Sequence, residues 1–315
     1  MPTFPQVTEM SPIDQERPQL AKAATGITGF DEITGGGLPR HRTTLVLGTS
    51  GAGKTIFALE TLVNGGKEHN ESGIFIAFEE NSRQIVENAA TFGWDLPGLE
   101  ADKLFFLDAK LPADIVQMGD FDLTGILTAL SSKAGEMSCK RIVFDGIDVL
   151  LAMLNDPAAE RREMYRLHEW LLASGITGII TGKADPSDGS TGDRYAFMQF
   201  MVDCVVSLHH RLVDRVSLRG LRVLKYRGSG FAENEFPLII SPKGMQVATF
   251  GQTEMQHEVS KERVSSGIAA LDTMLGGGYY RISSVLVTGA PGTAKTTLAG
   301  RSPKRPASAA SAFST

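Results

Sequence analysis

The stretch that decides the fold is the octapeptide Gly48-Thr49-Ser50-Gly51-Ala52-Gly53-Lys54-Thr55. Its three glycines allow the backbone to curl so that successive N–H groups point inward. The lysine adds a positive charge, and the threonine hydroxyl is a ligand for Mg²⁺. A short apolar strand precedes the octapeptide and an amphipathic helical pattern follows it, so the stretch predicts a loop that binds the phosphates of ATP. The alternative, a glycine-rich turn that happens to precede Lys-Thr, does not explain the flanking strand and helix.

A second version of this loop occurs at 289–296, in register with the first. The preceding segment 26–37 also matches 267–278, which predicts a duplicated unit of roughly 240 residues. The candidate nucleotide-binding residues of the second copy are Gly289, Gly292, Lys295 and Thr296. In this copy Ala294 replaces the glycine before the lysine, and its methyl group crowds the approach of a phosphate.

Composition restricts the class of protein. The chain has 315 residues, 42% hydrophobic and 21% charged, which is typical of a globular protein. No apolar run reaches the length of a membrane span and the N-terminal residues lack the pattern of a secretory signal, so we expect a cytoplasmic protein without a membrane partner. The net charge of −5 makes nucleic acid an unfavourable partner. The cysteines Cys139 and Cys204 are interpreted as reduced packing residues.

Inside the first copy, apolar runs that favour strands alternate with helical patterns. Strands that are apolar on both faces and joined by helices predict a mostly parallel sheet with helices on both faces, an α/β fold. After Ala196 the pattern changes to consecutive strands, beginning with Cys204 to His209, which predict an antiparallel β extension of the same sheet.

The chain is predicted to divide into five segments. These are a flexible N-terminal arm (1–19), a complete domain (20–250), a polar linker (251–263), the truncated start of a second domain (264–299) and a disordered tail (300–315). The tail contains prolines and few apolar residues, so it cannot continue the helix that follows a phosphate loop. We therefore expect the second copy to stop after its first strand and loop, and its tail resembles a truncation or a shift of reading frame.

Asp145 is the candidate carboxylate for the Mg²⁺ site. It ends the apolar strand 141–144, and parallel strands deliver such a side chain at the edge of the sheet beside the loop. An aspartate that starts a turn before Gly146 is the alternative. Asp148 is a weaker candidate because it lies beyond the strand.

Glu79 and Glu80 end another apolar strand, 73–78. Adjacent strand residues point to opposite faces, so only one of them should face the γ-phosphate unless the strand has already ended. The alternative is an exposed acidic pair at the start of the helix that follows Asn81 and Ser82.

Lys225 and Arg227 are the candidate cations. They lie two apart on a predicted strand, so they share a face, and the following Gly-Ser-Gly permits close approach to a ligand. From this position they are expected to act on the nucleotide of a neighbouring subunit. The alternative is an exposed strand face with no role.

Taken together, several motifs of the chain resemble those of the KaiC family of clock-associated ATPases, within the RecA-like P-loop class. The matching motifs are 25–31, the loop at 48–55, 78–80, 82–96, 119–123 and 225–229. The resemblance implies hexameric rings with ATP and Mg²⁺ between subunits, a first domain that hydrolyses ATP, and a second domain that phosphorylates its own Ser or Thr residues.

By this resemblance Glu79 and Glu80 activate the attacking water, while Lys225 and Arg227 reach the γ-phosphate across the interface. Arg219 assists them, although the residues around it depart from the basic run that the family has at this position. The resemblance also implies clock or signalling proteins as candidate partners, although Thr181-Gly182-Lys183-Ala184-Asp185 stands where the best-known members have an acidic segment. The second domain's carboxylate pair is absent from the sequence. Two other functions stay open: an inactive, ATP-gated binding scaffold, and a RecA-like ATPase that depends on nucleic acid.

Overall fold

The computed structural model of the chain describes residues 20–109, 123–154, 156–183, 196–249 and 261–301. The chain divides into two compact units, with the division after Thr249. The predicted arm 1–19 lies outside the described residues, as do nearly all of the predicted linker and tail. The limits of the domains stay predictions.

A nine-stranded sheet forms the centre of the first unit. Its strands are β3 (Thr43–Gly48), β4 (Gly73–Ala77), β5 (Leu104–Asp108), β6 (Arg141–Asp145), β7 (Thr177–Lys183), β8 (Cys204–Val213), β9 (Val216–Tyr226), β10 (Glu235–Ser241) and β11 (Gly244–Val247). They lie in the order β11-β10-β9-β8-β3-β7-β6-β4-β5. A small antiparallel pair, β1 (Lys22–Ala23) with β2 (Leu38–Pro39), lies before the main sheet in the chain.

The strand β8 differs from its predicted direction. It pairs in parallel with β3, with Thr44 opposite Cys204 and Gly48 opposite Leu208, so the antiparallel extension begins only at β9. The physical reason is the connection from β7 to β8, which is long and contains a helix. Such crossovers join parallel strands, whereas a two-residue turn joins β8 to β9.

Helices cover both faces of the sheet. Their bounds are α1 (Phe30–Ile33), α2 (Lys54–His69), α3 (Ser82–Ala89), α4 (Leu96–Glu100), α5 (Thr124–Met137), α6 (Ile147–Leu154), α7 (Pro157–Ser174) and α8 (Ala196–Met201), and a 3₁₀ turn follows α3 at Ala90–Phe92. The helices α1 to α4 pack on one face and α5 to α8 on the other.

Successive residues of the central strands enter opposite cores. Val46 belongs to the core under α2, whereas Leu45 and Leu47 belong to the core under α5 to α8, and all three are buried. This alternation explains why the strands are apolar throughout, because a parallel sheet covered on two sides has no polar face. The predicted mostly parallel α/β fold is confirmed.

The second unit repeats the beginning of the first. It contains β12 (Arg263–Val264) paired with β13 (Tyr279–Tyr280), α9 (Ala269–Met274) and α10 (Lys295–Arg301). The same turn occurs in both copies: Asp31 accepts a hydrogen bond from the N–H of Thr25 at 3.0 Å, and Asp272 accepts one from the N–H of Ser266 at 2.7 Å.

The expected first strand of the second copy does not form. Residues 284–290 lie in no strand, and Val285, Leu286 and Val287 are exposed. In the first unit the equivalent strand β3 lies between β7 and β8, whereas residues 261–301 supply no strands to flank it. Among the described strands, none pairs with this apolar segment.

Candidate functional site

The loop between β3 and α2 has a backbone that requires glycine. Gly51 and Gly53 have φ angles of 72° and 102°, in a region that L-residues rarely adopt. A side chain at Gly48 would place its Cβ 2.6 Å from the carbonyl oxygen of Leu208. Because no side chain caps α2 and its first turn has no acidic residue, the first N–H groups of the helix are available to an anion.

Lys54 lies across the mouth of this loop. Its Nζ atom donates to the carbonyl oxygens of Gly48 at 3.0 Å and Thr49 at 3.1 Å. Burial lowers the pKa of Lys54, and the charges of Asp148, Asp145 and Glu79 oppose that shift. The lysine is therefore a positive charge held at the loop by two of its carbonyl oxygens.

Thr55 and Asp145 meet at the edge of the sheet. The Thr55 hydroxyl donates to Asp145 Oδ2 at 3.0 Å, and the Thr181 hydroxyl donates to Asp145 Oδ1 at 2.6 Å. Asp145 is 5% exposed, and burial raises its pKa to about 6, although the hydrogen bonds from Thr181 and Thr55 favour the carboxylate. No cluster of three or more His, Cys, Asp or Glu side chains forms within the described ranges. This donor set suits Mg²⁺, which proteins bind through one or two carboxylates together with substrate phosphates.

Glu79 and Glu80 both line the same cavity as the loop. The strand β4 ends at Ala77, so the alternation that would separate the two side chains no longer applies. The cap of α3 is another residue, because the Asn81 side chain accepts from the N–H of Arg83 at 2.9 Å. Both glutamates are exposed, as the alternative of an acidic pair before the helix predicts, although neither of them is its cap.

The two glutamates are not equivalent. Glu79 packs against Gly146, where an added Cβ would lie 3.1 Å from Glu79 Cβ. Its charge acts on both Lys54 and Asp145, whose pKa values respond to it. Glu79 is thus the glutamate that contacts the turn after Asp145.

The cavity has a volume of about 570 Å³ and a mixed lining. Polar residues of the loop line it together with Phe92 and Trp94, whose rings are stacked with centroids 4.8 Å apart. Arg219 enters from β9 and its Nε donates to the carbonyl oxygen of Gly51 at 3.3 Å. The remaining lining residues include Ile85, Asn88, Ala89, Thr91, Gly146, Thr181 and Ile240.

Lys225 and Arg227 do not reach this cavity in their own chain. Tyr226, between them, lies opposite Cys204 at the start of β8, whereas the loop follows the other end of the neighbouring strand. Both side chains donate to the carbonyl oxygen of Phe200 at the end of α8, at 3.3 Å and 2.6 Å. The two cations therefore share a face, and that face is remote from the loop of the same chain.

The second loop reproduces part of the geometry of the first. Lys295 Nζ donates to the carbonyl oxygens of Gly289 at 2.7 Å and Ala290 at 2.8 Å, and Gly292 has a φ of 85°. Ala294 has a φ of 59°, an uncommon conformation for alanine. Within residues 261–301, the Thr296 hydroxyl has no carboxylate partner like the one Asp145 provides for Thr55.

Some residues of the cavity were not predicted as site residues, namely Thr181, Phe92, Trp94 and Ile240. A signal exists for Thr181, because it lies in the carboxyl-terminal half of β7, the neighbour of β3, and the carboxyl ends of parallel strands share one edge. No local signal exists for Ile240, which comes from the antiparallel extension.

A glycine loop between a central parallel strand and a helix, with an acidic residue ending a second strand beside it, defines a phosphate-loop nucleotide-binding protein of the RecA-like class. The family model for the KaiC ATPase matches residues 23–251 and 264–301. The chain belongs to the KaiC ATPase family.

Several relatives support this membership. The chain is 41% identical to the circadian clock protein KaiC2 of Synechocystis sp. over 283 residues, which cover 89% of the chain and 49% of the relative. It is 39% identical to the circadian clock oscillator protein KaiC of Prochlorococcus marinus strain MIT 9313 over 285 residues, 90% of the chain and 57% of the relative. The chain thus spans about half the length of these relatives. In the part of the chain that the structure describes, no helix has the length and apolar character needed to cross a membrane.

Proposed function

We propose that the first unit binds ATP with Mg²⁺ in the cavity between Lys54 and Trp94 and hydrolyses it to ADP and phosphate. The observation that carries this proposal is that Lys54, the hydrogen-bonded pair Thr55–Asp145 and Glu79 all line a single cavity. These are the groups that phosphoryl transfer to water requires: a cation, a metal site and a base. Membership of the KaiC ATPase family supports the same activity.

Each residue has a distinct part in this proposal. The N–H groups from Gly51 to Thr55 and the Lys54 ammonium hold the phosphates, because both direct positive charge into the loop. When bound, Mg²⁺ neutralises the charge on the phosphate oxygens, and Thr55, with Asp145 through water, would hold it. Glu79 orients the attacking water and accepts its proton, while Glu80 lines the wall beside it. Phe92 and Trp94 offer apolar rings to the base of the nucleotide.

We also propose that the chain works as a ring in which each nucleotide lies between two subunits, with six subunits as the family resemblance implies. The support is the distance of Lys225 and Arg227 from the loop of their own chain, which leaves them able to meet only a neighbour's nucleotide. The catalytic cation would then be supplied in trans. A contact of this head-to-tail kind closes into a ring when its rotation allows.

The role of the second loop is more limited in this proposal. Lys295 and the loop from Gly289 favour contact with a phosphate, but the described unit gives Thr296 no carboxylate for a metal. We therefore place turnover in the first unit and assign no phosphorylation of Ser or Thr to residues 261–301. The names of the relatives favour a part in timing or signalling, with clock or signalling proteins as partners.

The test is phosphate release from MgATP by the purified chain, with an excess of EDTA as the control. Turnover that requires Mg²⁺ is the expected result, and its absence together with tight ATP binding would favour an ATP-gated scaffold. Native mass measurement with and without MgATP tests the ring. A chain that stays monomeric with MgATP yet hydrolyses it would contradict action in trans.

A further inference from the structure

The hydroxyl group of Thr181 forms hydrogen bonds with two consecutive residues of the cavity wall, Asp145 and Gly146. Thr181, fully buried two residues before the end of β7, donates its proton to Asp145 Oδ1 at 2.6 Å and accepts from the N–H of Gly146 at 2.9 Å. A hydroxyl has one proton to donate and two lone pairs with which to accept. The direction of both bonds is therefore fixed: N–H of Gly146 to Thr181, and Thr181 to the carboxylate.

The consequence for Asp145 is that its two oxygens have different partners. Thr181 fixes Oδ1, so that Oδ2 faces the Thr55 hydroxyl at 3.0 Å. A carboxylate that could rotate would lose this arrangement. Carboxylates that serve a metal are usually held by such hydrogen bonds, and loss of an outer partner weakens metal affinity by about 10- to 100-fold.

The consequence for Glu79 comes through Gly146. This glycine has a φ of 76°, and Glu79 packs so closely on it that an added Cβ would lie 3.1 Å from Glu79 Cβ. Because the N–H of Gly146 is bonded to Thr181, the same hydroxyl that orients Asp145 also fixes the backbone that supports Glu79.

We propose that Thr181 is a positioning residue that holds Asp145 toward the metal and Gly146 under Glu79, so that one hydroxyl sets the geometry of both carboxylates. This inference rests on the proposed function. It predicts a specific defect: the protein without this hydroxyl still binds the nucleotide, because Lys54 and the loop are unchanged, but gains less affinity from Mg²⁺.

The experiment measures the affinity of the full chain for a fluorescent N-methylanthraniloyl derivative of AMP-PNP, in excess EDTA and in saturating MgCl₂. The ratio of the two dissociation constants is the gain due to the metal. Thr181→Val keeps the shape of the side chain and removes the hydroxyl, and should reduce this gain by about 10-fold or more. Thr181→Ser keeps the hydroxyl and should retain the gain of the unaltered chain.

The matched control is Thr177→Val. Thr177 is also buried in β7, and its hydroxyl accepts from the N–H of His41 at 3.0 Å, at the other end of the strand from the cavity. If both valine variants reduce the gain equally, Thr181 acts only on the strand and the inference is overturned. An unchanged gain in Thr181→Val overturns it as well.

If Thr181→Val does not fold, Thr181→Cys replaces it, because a thiol is a weak donor and acceptor. A partial loss of the gain supports the inference, and a full gain contradicts it. The proposed function fails separately, when the unaltered chain does not bind the nucleotide or shows no gain from Mg²⁺. If Mg²⁺ increases the affinity of the unaltered chain and of Thr181→Val equally, the role of Thr181 is refuted while the proposed function stands.

Discussion

The hydroxyl of Thr55 and the carboxylate of Asp145 are joined by a 3.0 Å hydrogen bond, although 90 positions separate them in the chain. Thr55 belongs to the first turn of α2, and Asp145 ends β6, two strands from β3 in the sheet. The bond joins the phosphate loop to the acidic strand end, and the rest of the proposed chemistry is arranged around it.

Replacement of Lys54 by alanine should abolish turnover and weaken ATP binding by roughly 10- to 100-fold, since hydrogen bonds to charged groups contribute about 1.5–3 kcal/mol. The fluorescence titration and the phosphate assay measure the two effects. Lys67→Ala is the matched control, because Lys67 is an exposed lysine of the same helix. Unchanged affinity and hydrolysis in a folded Lys54→Ala protein would refute the nucleotide site.

Glu79→Gln should retain ATP while turnover falls by a factor on the order of 10² to 10⁴, the usual contribution of a general base. Glu80→Gln should have a smaller effect, because Glu79 is the residue that packs on Gly146 and acts on Lys54 and Asp145. Single-turnover rates with bound ATP distinguish the two variants. The opposite ranking would move the base to Glu80, and full activity in both would remove the pair from the mechanism.

Mixing inactive variants should restore activity if the cation acts in trans. Lys54→Ala protein supplies intact Arg227, and Arg227→Ala protein supplies an intact loop. In a random ring of equal parts, about one interface in four then combines both. Phosphate release is measured before and after mixing under conditions of exchange. Arg222→Ala, in the strand that ends just before Arg227, should be active alone. Absence of rescue in rings shown to be mixed would place the cation within one chain.

Stability should depend on pH through Glu60. This residue of α2 is 5% exposed and accepts from the N–H of Met245 at 2.8 Å, and burial raises its pKa from 4.5 to about 7. The folded state therefore holds a proton that the unfolded state releases above pH 4.5. The contribution of Glu60 to the free energy of unfolding is therefore fully present below pH 4.5. It falls by about 3 kcal/mol as the pH rises to about 7 and is constant above that.

Urea unfolding of the full chain and of Glu60→Gln across this range isolates the effect, because the difference between them should change with pH only between those two values. Glu87→Gln provides a control at an exposed glutamate. A difference that is independent of pH would show that Glu60 is ionised in the folded protein.

Local patterns predict much of this fold for a physical reason. The buried strands are apolar on both faces, so the apolar runs that begin at Ile74 and Ile142 identify them. The positions of the loop and of Asp145 can then be predicted, because the carboxyl ends of parallel strands lie at one edge of the sheet. The direction of β8 could not be predicted in the same way, because it depends on the path of the chain from β7. Ile240 could not be predicted locally either, since it reaches the cavity only through the antiparallel extension, whereas the position of Thr181 beside β3 follows from the order of the parallel strands.

The segment from Val285 to Val287 has a consequence for handling the protein. These three apolar residues are exposed, with Leu286 at 87%, and they lie in no strand. Their β-branched and aliphatic side chains favour extended structure, and unpaired N–H and C=O groups are a template for a strand from another molecule. The second unit therefore carries an aggregation-prone segment. Concentrated solutions of the chain should aggregate through it unless another strand pairs with it.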